Sequence, residues 1–181
     1  MALLGDVSFL SPSLVLAAPP GYGPIRLQFS ALDSLASELI EWFGHGVVSH
    51  VDVVLPSGRL MGARKNAIRG IPAGVQSRPA DYANFTRKVR VDLPAPPEVV
   101  DSFYSFISAQ NGKPYDEKAI EAFLPGRDWR TPDAWFCSEL VAAGLETSKW
   151  FAYPLATSVN KITPPDLLLV LSAFVPISLS A

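Results

Sequence analysis

The sequence is poor in the residues that bind metals and carry redox chemistry. It has one cysteine and two histidines in 181 residues, so no internal disulfide can form. His45, His50 and Cys137 also lack the spacing of a zinc site. We therefore expect no metal and no cofactor, and the single thiol indicates a reducing compartment, a chemical role, or both.

An excess of charge of one sign is missing as well. Fifteen lysines and arginines against seventeen acidic residues leave a net charge of −2, which provides no basic surface for nucleic acid. Hydrophobic residues make up 49% of the chain and charged residues 18%, as in a compact globular protein rather than a disordered one. Because no shift in composition marks a boundary, we expect a single domain over residues 1–181.

Long apolar segments are absent too. The run at residues 167–175 ends at Pro176 and is shorter than the roughly 20 residues that a membrane-spanning helix requires. We interpret residues 163–175 as an apolar C-terminal helix, capped by Thr163, that is either buried or left exposed for docking. The N-terminus lacks the basic region of a secretory signal, and residues 1–24 are rich in Pro, Gly and Ser, which indicates a loop.

The order of the other predicted elements is that of an α+β protein. Strands are indicated by β-branched or alternating residues, and helices by apolar residues at helical spacing. In chain order they are a strand over 25–29, a helix capped by Ser30 and ending near Gly44, a hairpin over 47–64, an irregular excursion over 65–82 with a short strand near Val75 and Gln76, a strand over 85–93, a helix over 98–110 that stops at Gly112, and a helix that begins around Cys137.

The only cysteine lies where a helix is predicted to start. In Trp135-Phe136-Cys137-Ser138-Glu139-Leu140-Val141 the apolar spacing places Cys137 in the first helical turn. Unpaired backbone N–H groups and the helix dipole favour an anion there, so we expect a lowered thiol pKa and some thiolate near neutral pH. A cysteine on an apolar helix is otherwise most often a buried packing residue.

A histidine that could serve this thiol lies on the predicted hairpin. In residues 47–55 the β-branched pattern places His50 and Asp52 on one strand face and the apolar residues on the other. A turn at Pro56-Ser57-Gly58 then sets the register, and if Leu55 faces Arg59, Arg64 lies opposite His50 and Gly62 opposite Asp52. We expect His50 to be the base and His45, beside two glycines, to be a surface loop residue.

Three segments together resemble a known enzyme family. They are His50 at the start of a hairpin, the turn Gly112-Lys113-Pro114-Tyr115-Asp116, and Phe136-Cys137-Ser138-Glu139-Leu140-Val141. The combination resembles the circularly permuted branch of the NlpC-type, papain-like cysteine peptidases, in particular the YiiX-like group, and also phage-encoded relatives. The resemblance covers roughly residues 25–172 and includes the order of histidine before cysteine.

This resemblance implies a fold and a set of site residues. The fold would be papain-like, an antiparallel sheet packed against a cysteine-bearing helix with additional helices. Cys137 would be the nucleophile, His50 its general base, and Tyr115 a neighbour of the nucleophile. From its place two residues after Cys137, and not from the resemblance, we expect Glu139 to be a surface charge of the first helical turn or a substrate contact.

One position departs from the family pattern. The family places a polar residue that orients the imidazole on the strand after the histidine, and here that position falls near Gly62. Arg64 is a poor substitute, because a cation opposite His50 disfavours imidazolium. Asp52 could accept the ring N–H by leaning along its own strand, and Gln76 could do so if the excursion folds back.

The sequence therefore supports more than one functional hypothesis. The first is a thiol hydrolase that cleaves an amide bond, and the resemblance implies a cell-wall (peptidoglycan) peptide as substrate. A lipid or acyl-ester hydrolase or acyltransferase is the nearest alternative. A third is a non-catalytic phage or bacterial structural module, with a phage tail or another protein as partner. We expect a cytoplasmic or virion-associated protein.

Overall fold

The computed structural model describes residues 23–32, 47–117 and 133–180. These form an α+β fold in which an antiparallel sheet packs against helices. The elements are β1 (Gly23–Leu32), β2 (His50–Val54), β3 (Leu60–Arg64), β4 (Gly74–Arg78), β5 (Phe85–Ala95), α1 (Pro97–Ala109), α2 (Cys137–Thr147), a 3-10 turn (Val159–Lys161), α3 (Pro164–Ser172) and β6 (Ser178–Ser180).

The strands form one sheet in the order β4-β3-β2-β1-β5-β6, with every pairing antiparallel. The hairpin of β2 and β3 has the predicted register. Val53 pairs with Met61, and the Leu55 N–H donates to the Arg59 carbonyl at 2.8 Å. Gly58 makes the turn possible, because its φ of 79° lies in the left-handed region that favours glycine.

One face of the sheet builds the main hydrophobic core. Leu27 of β1 pairs with Val53 on one side and with Val91 on the other, so these side chains share a face and are fully buried. Helix α2 packs on that face through Leu140. Gly144 brings α1 close to α2, since a Cβ there would lie 2.9 Å from the Phe103 ring.

The opposite face of the sheet is polar and is also covered. His50 is 7% exposed and Asp52 is fully buried, although a strand face of this composition would ordinarily be solvent-facing. Residues 65–84 contain β4 and bring Tyr82 over this face, where Tyr82 packs with Val54 and Leu60 in a second cluster. The predicted short strand in the excursion is thus confirmed as β4.

Two predictions at the junction of strand and helix are wrong. Ser30 lies within β1 and is not a helix cap, because β1 continues through it and pairs with both β2 and β5. The alternation of apolar and polar residues over 85–93 predicts Phe85 on the core face of its strand. A register shift beside Leu32 instead places it in the second cluster, where it meets Tyr82 edge-on. The rest of the helix predicted to end near Gly44, and His45, lie outside the described residues.

The other predicted helices are confirmed within a few residues. The α1 helix spans Pro97–Ala109 and is followed by Gly112 with a φ of 84°. The α3 helix begins after Thr163, whose hydroxyl accepts from the Asp166 N–H, and the Asp166 carboxylate accepts from the Thr163 N–H. Strand β6 was not predicted. Within the described residues no helix is long and apolar enough to span a membrane.

Candidate active site

Helix α2 presents Cys137 at its first residue, as predicted. Phe136 is extended (φ −85°, ψ 156°), and its N–H donates to Glu139 Oε2 at 3.2 Å. The Ser138 hydroxyl donates to the Ile162 carbonyl and ties the same turn to the chain before α3. The start of α2 is therefore fixed on two sides, which holds the thiol in place.

The environment of the thiol is the reverse of the sequence expectation. Cys137 is only 2% exposed, and burial raises the pKa of the thiol to about 12, even though backbone hydrogen bonds from Val51 and Ser138 and the charge of Arg64 lower it. Desolvation of a thiolate thus outweighs the favourable N–H groups of the helix start. At neutral pH the residue is a thiol.

His50 is oriented by a carboxylate on its own strand. Its Nε2 lies 3.0 Å from Asp52 Oδ1. Burial opposes ionisation of this carboxyl, but the interaction with His50, the charge of Arg64 and the hydrogen bond from Tyr82 together lower the pKa of Asp52 to about 2. An ionised carboxylate at this distance accepts the Nε2 proton, which leaves Nδ1 as the basic ring nitrogen.

Gly62 explains how Asp52 reaches this position. A Cβ built on Gly62 would lie 2.2 Å from Asp52 Oδ1 and 3.2 Å from the Val51 carbonyl oxygen. The carboxylate of Asp52 therefore fills the space that a side chain at position 62 would need. Gly62 occupies the position at which the family pattern has the orienting residue. Because Gly62 has no side chain, Asp52 has room to orient His50.

A residue of the segment 65–84 binds the second carboxylate oxygen of Asp52. The Tyr82 hydroxyl donates to Asp52 Oδ2 at 2.7 Å and accepts from Arg64 Nε. Burial and the Asp52 charge raise the pKa of Tyr82, so the phenol remains a donor. Tyr82 was missed from sequence, although it is the only aromatic residue in 65–84.

Arg78 is a second residue that sequence reasoning missed. It is fully buried, and its Nη1 donates to the carbonyls of Gly62 and Gln76 at 2.9 and 3.1 Å. Its Nη2 donates to the carbonyls of Pro72 and Gly74 at 3.3 and 3.1 Å. Arg78 thus fixes the backbone around Gly62 and has a structural role.

The electrostatics keep the imidazole neutral. Burial and the charge of Arg64 lower the pKa of His50, and Asp52 opposes them. The charge of Arg64 thus lowers the pKa of His50, as expected for a cation opposite this residue. At neutral pH the site holds a neutral imidazole hydrogen-bonded to a carboxylate, together with a neutral thiol.

Cys137 and His50 share neighbouring groups. The thiol hydrogen-bonds with the backbone of Val51, the residue after His50, and the charges of Asp52 and Arg64 act on the pKa values of both Cys137 and His50. Tyr115 is close as well, since burial and the charge at Cys137 raise its pKa. Its ring lies 5.9 Å from that of Phe136.

Two of the expected site residues have other positions. Gln76 is half-buried on β4 opposite Gly62, and the orienting contact to His50 comes from Asp52 instead. Glu139 is fully buried and caps its own helix. It is therefore not the surface charge that was expected and has no exposed area with which to meet a substrate.

Among the described residues, no group of three or more His, Cys, Asp or Glu side chains could hold a metal ion. In comparisons with known proteins, no family model matches the chain, and no curated protein matches it.

Proposed function

We propose that this protein is a thiol hydrolase that cleaves an amide bond, with Cys137 as nucleophile, His50 as general base and Asp52 as the residue that orients the base. The observation that carries the proposal is the 3.0 Å contact of His50 Nε2 with Asp52 Oδ1. A histidine whose one nitrogen is held by a buried carboxylate has its other nitrogen available for proton transfer.

The protonation states favour a coupled first step. Because the pKa of Cys137 is raised to about 12 and that of His50 is lowered, a resting thiolate–imidazolium pair is disfavoured. In the proposed step, Nδ1 of His50 accepts the thiol proton while the sulfur bonds to the substrate carbonyl carbon. The carbonyl oxygen becomes an oxyanion, which the backbone N–H of Cys137 can stabilise because it lies at the helix start.

The remaining steps return the site to its starting state. The carbon–nitrogen bond breaks, the imidazolium of His50 gives its proton to the leaving amine, and a thioester remains on Cys137. A water molecule then loses a proton to His50 and attacks the thioester. The carboxylic acid leaves and the thiol regains its proton.

We also propose that the domain has the permuted papain-like fold. The arrangement that supports this is a helix that starts at the cysteine and packs on an antiparallel sheet that carries the histidine, with the histidine first in the chain. The resemblance of the motifs would make a cell-wall peptide the substrate. An acyl ester is the alternative within the same chemistry.

One observation favours a second function, that of a non-catalytic binding module. Cys137 is 2% exposed, and its raised pKa keeps the thiol protonated. A buried neutral thiol is the ordinary state of a packing cysteine. Against this, packing alone gives no reason to bury an ionised carboxylate beside the histidine, since burying charge costs free energy.

The test is hydrolysis of cell-wall peptides and of simple acyl esters by the purified protein. The measurements are release of new amino groups, release of acid from the esters, and an intact-mass search for a covalent acyl-enzyme. Cys137→Ser is the inactive variant, and Arg90→Gln, at an exposed position of β5, is the surface control. Release of amine that Cys137→Ser loses and Arg90→Gln keeps supports an amidase.

Other results separate the alternatives. Ester cleavage without amine release assigns the acyl-ester function. Equal turnover by the wild-type protein and Cys137→Ser would mean that the thiol is not the nucleophile. The binding module is favoured if neither substrate class is cleaved and no acyl-enzyme forms.

A further inference from the structure

Arg64 has a buried donor for which no described residue provides an acceptor. Its side chain is 9% exposed and ends β3 on the polar face of the sheet. Its Nε donates to the Tyr82 hydroxyl, and its guanidinium carbon lies 4.7 Å from the centre of the Tyr82 ring. Among the described residues, its Nη2 is buried and has no hydrogen-bond partner.

Arg78 uses more of its donors than Arg64 does, although its Nε is also buried without a hydrogen-bond partner among the described residues. Arg78 is buried beside Arg64, and its two terminal nitrogens donate to four backbone carbonyls. Among the residues that the structure describes, Arg64 makes one hydrogen bond, to the neutral hydroxyl of Tyr82. A buried guanidinium nitrogen without an acceptor carries a desolvation cost that an anion would remove.

The Asp52 carboxylate, on the same face of the sheet, is already engaged. Asp52 accepts from His50 through one oxygen and from Tyr82 through the other, so it meets Arg64 only through the phenol. Among the described residues, no carboxylate forms an ion pair with Arg64. Helix α2, which begins at Cys137, contacts β3, which ends at Arg64. The charge of Arg64 also acts on the pKa values of Cys137 and of Tyr115, which flanks the start of α2.

We propose that Arg64 Nη2 binds a carboxylate of the molecule that occupies the site, so that ligands with a carboxylate close to the group attacked by Cys137 are preferred. A guanidinium suits this task, because its donors match a carboxylate in charge and geometry. The identity of the reaction rests on the proposed function. Recognition of the anion does not, because it needs no proton transfer by His50.

The experiment compares two alkylating agents of nearly equal size, iodoacetate and iodoacetamide. Cys137 is the only cysteine, so the mass of the whole protein reports alkylation at this one site. For the folded wild-type protein we expect the ratio of the iodoacetate rate to the iodoacetamide rate to be about tenfold higher than for a free thiol such as N-acetylcysteine, since a charge-assisted contact is of that size.

Variants assign the preference to one side chain. Arg64→Gln should lower the rate ratio to that of the free thiol, whereas Arg64→Lys keeps part of the preference. Arg90→Gln, the same substitution at an exposed position, should leave the ratio unchanged. An Arg64→Gln protein that folds, as judged by circular dichroism, and retains the wild-type ratio would overturn the proposal.

A measurement on the wild-type protein covers the case in which Arg64→Gln does not fold. Acetate should slow the reaction with iodoacetamide in a saturable way, and acetamide at the same concentration should not. Equal effects of the two additives contradict an anion site. So does a folded protein that neither reagent alkylates, because no ligand then reaches Arg64.

His50→Ala separates this inference from the proposed function. If His50 is the base, His50→Ala slows both reagents and leaves their ratio high. If the ratio stays high but both rates are unchanged, His50 is not the general base, and anion binding by Arg64 is still supported. If both rates fall in His50→Ala while the wild-type ratio equals that of the free thiol, the base stands and the anion site fails.

Discussion

The two faces of the sheet are both buried, but by different means. One face carries Leu27, Val53 and Val91 against the helices, where each square ångström of apolar surface removed from water contributes about 25 cal/mol. The other face carries His50 and Asp52 beneath Tyr82, where burying charge is costly unless every group is paired. The first face accounts for the stability of the fold, whereas for the second we propose a chemical role.

The largest effect expected from this comparison is on activity. His50→Ala removes the proposed base from the polar face and should lower kcat/KM by about 10² to 10⁴-fold. The urea midpoint should move less than it does for a large truncation in the core. A His50→Ala protein that turns over substrate at the wild-type rate would remove the distinction between the two faces.

A truncation on the apolar face should reduce stability rather than activity. Leu140→Ala deletes a fully buried side chain of α2 and should lower the free energy of unfolding by about 3 kcal/mol, through lost burial and the cavity that remains. Urea denaturation measures this. Below the transition, kcat per folded molecule should stay close to wild type, and a loss of activity as large as that of His50→Ala would contradict the separation of roles.

The sequence predicts those parts of the site that depend on local signals. The helix start at Cys137 and the register of the hairpin follow from spacing and from Gly58, so the shared face of His50 and Asp52 is confirmed. Tyr82 and Arg78 do not follow, because their contacts depend on how residues 65–84 cross the sheet.

Burial is the other property that local sequence does not reveal. The helix start at Cys137 predicts a lowered thiol pKa, and only the three-dimensional packing shows that desolvation reverses it. Ser30 has the composition of a helix cap, but pairing of β1 on both of its edges overrides that signal. In both cases a tertiary contact decides against a correct local tendency.

A smaller loss of activity is expected when the orienting carboxylate changes. Asp52→Asn should reduce kcat/KM by up to about 100-fold through misorientation of the imidazole. It also removes the charge that raises the pKa of His50. The acid limb of the pH–rate profile, already below the ordinary histidine pKa of 6.5, should therefore move to still lower pH. A purely structural role for Asp52 would reduce activity without this shift.

A double exchange sharpens the test of Asp52. Gly62→Ala alone should lower activity as removal of the Asp52 carboxylate does, because the new Cβ would lie 2.2 Å from that carboxylate. Asp52→Gly combined with Gly62→Asp moves the carboxylate to the facing strand at a similar place. Recovery of activity in the double variant relative to Asp52→Gly would show that the carboxylate matters and not the strand that carries it.

The smallest effect concerns the thiol of Cys137, which belongs to the hydrophobic core. Because burial raises the pKa of Cys137 from 9.0 to about 12, the unfolded chain loses this proton first as the pH rises. The stabilisation by the neutral thiol is complete below pH 9 and declines from there to pH 12, by about 1 kcal/mol at pH 10. Urea unfolding at pH 8 and pH 10 should show this loss in the wild-type protein and not in Cys137→Ala.

The difference between the two proteins isolates Cys137, because Tyr82 and the other alkaline groups titrate in both. Equal losses would mean that the thiol is exposed enough to ionise freely, and then a resting thiolate could attack without a coupled proton transfer to His50.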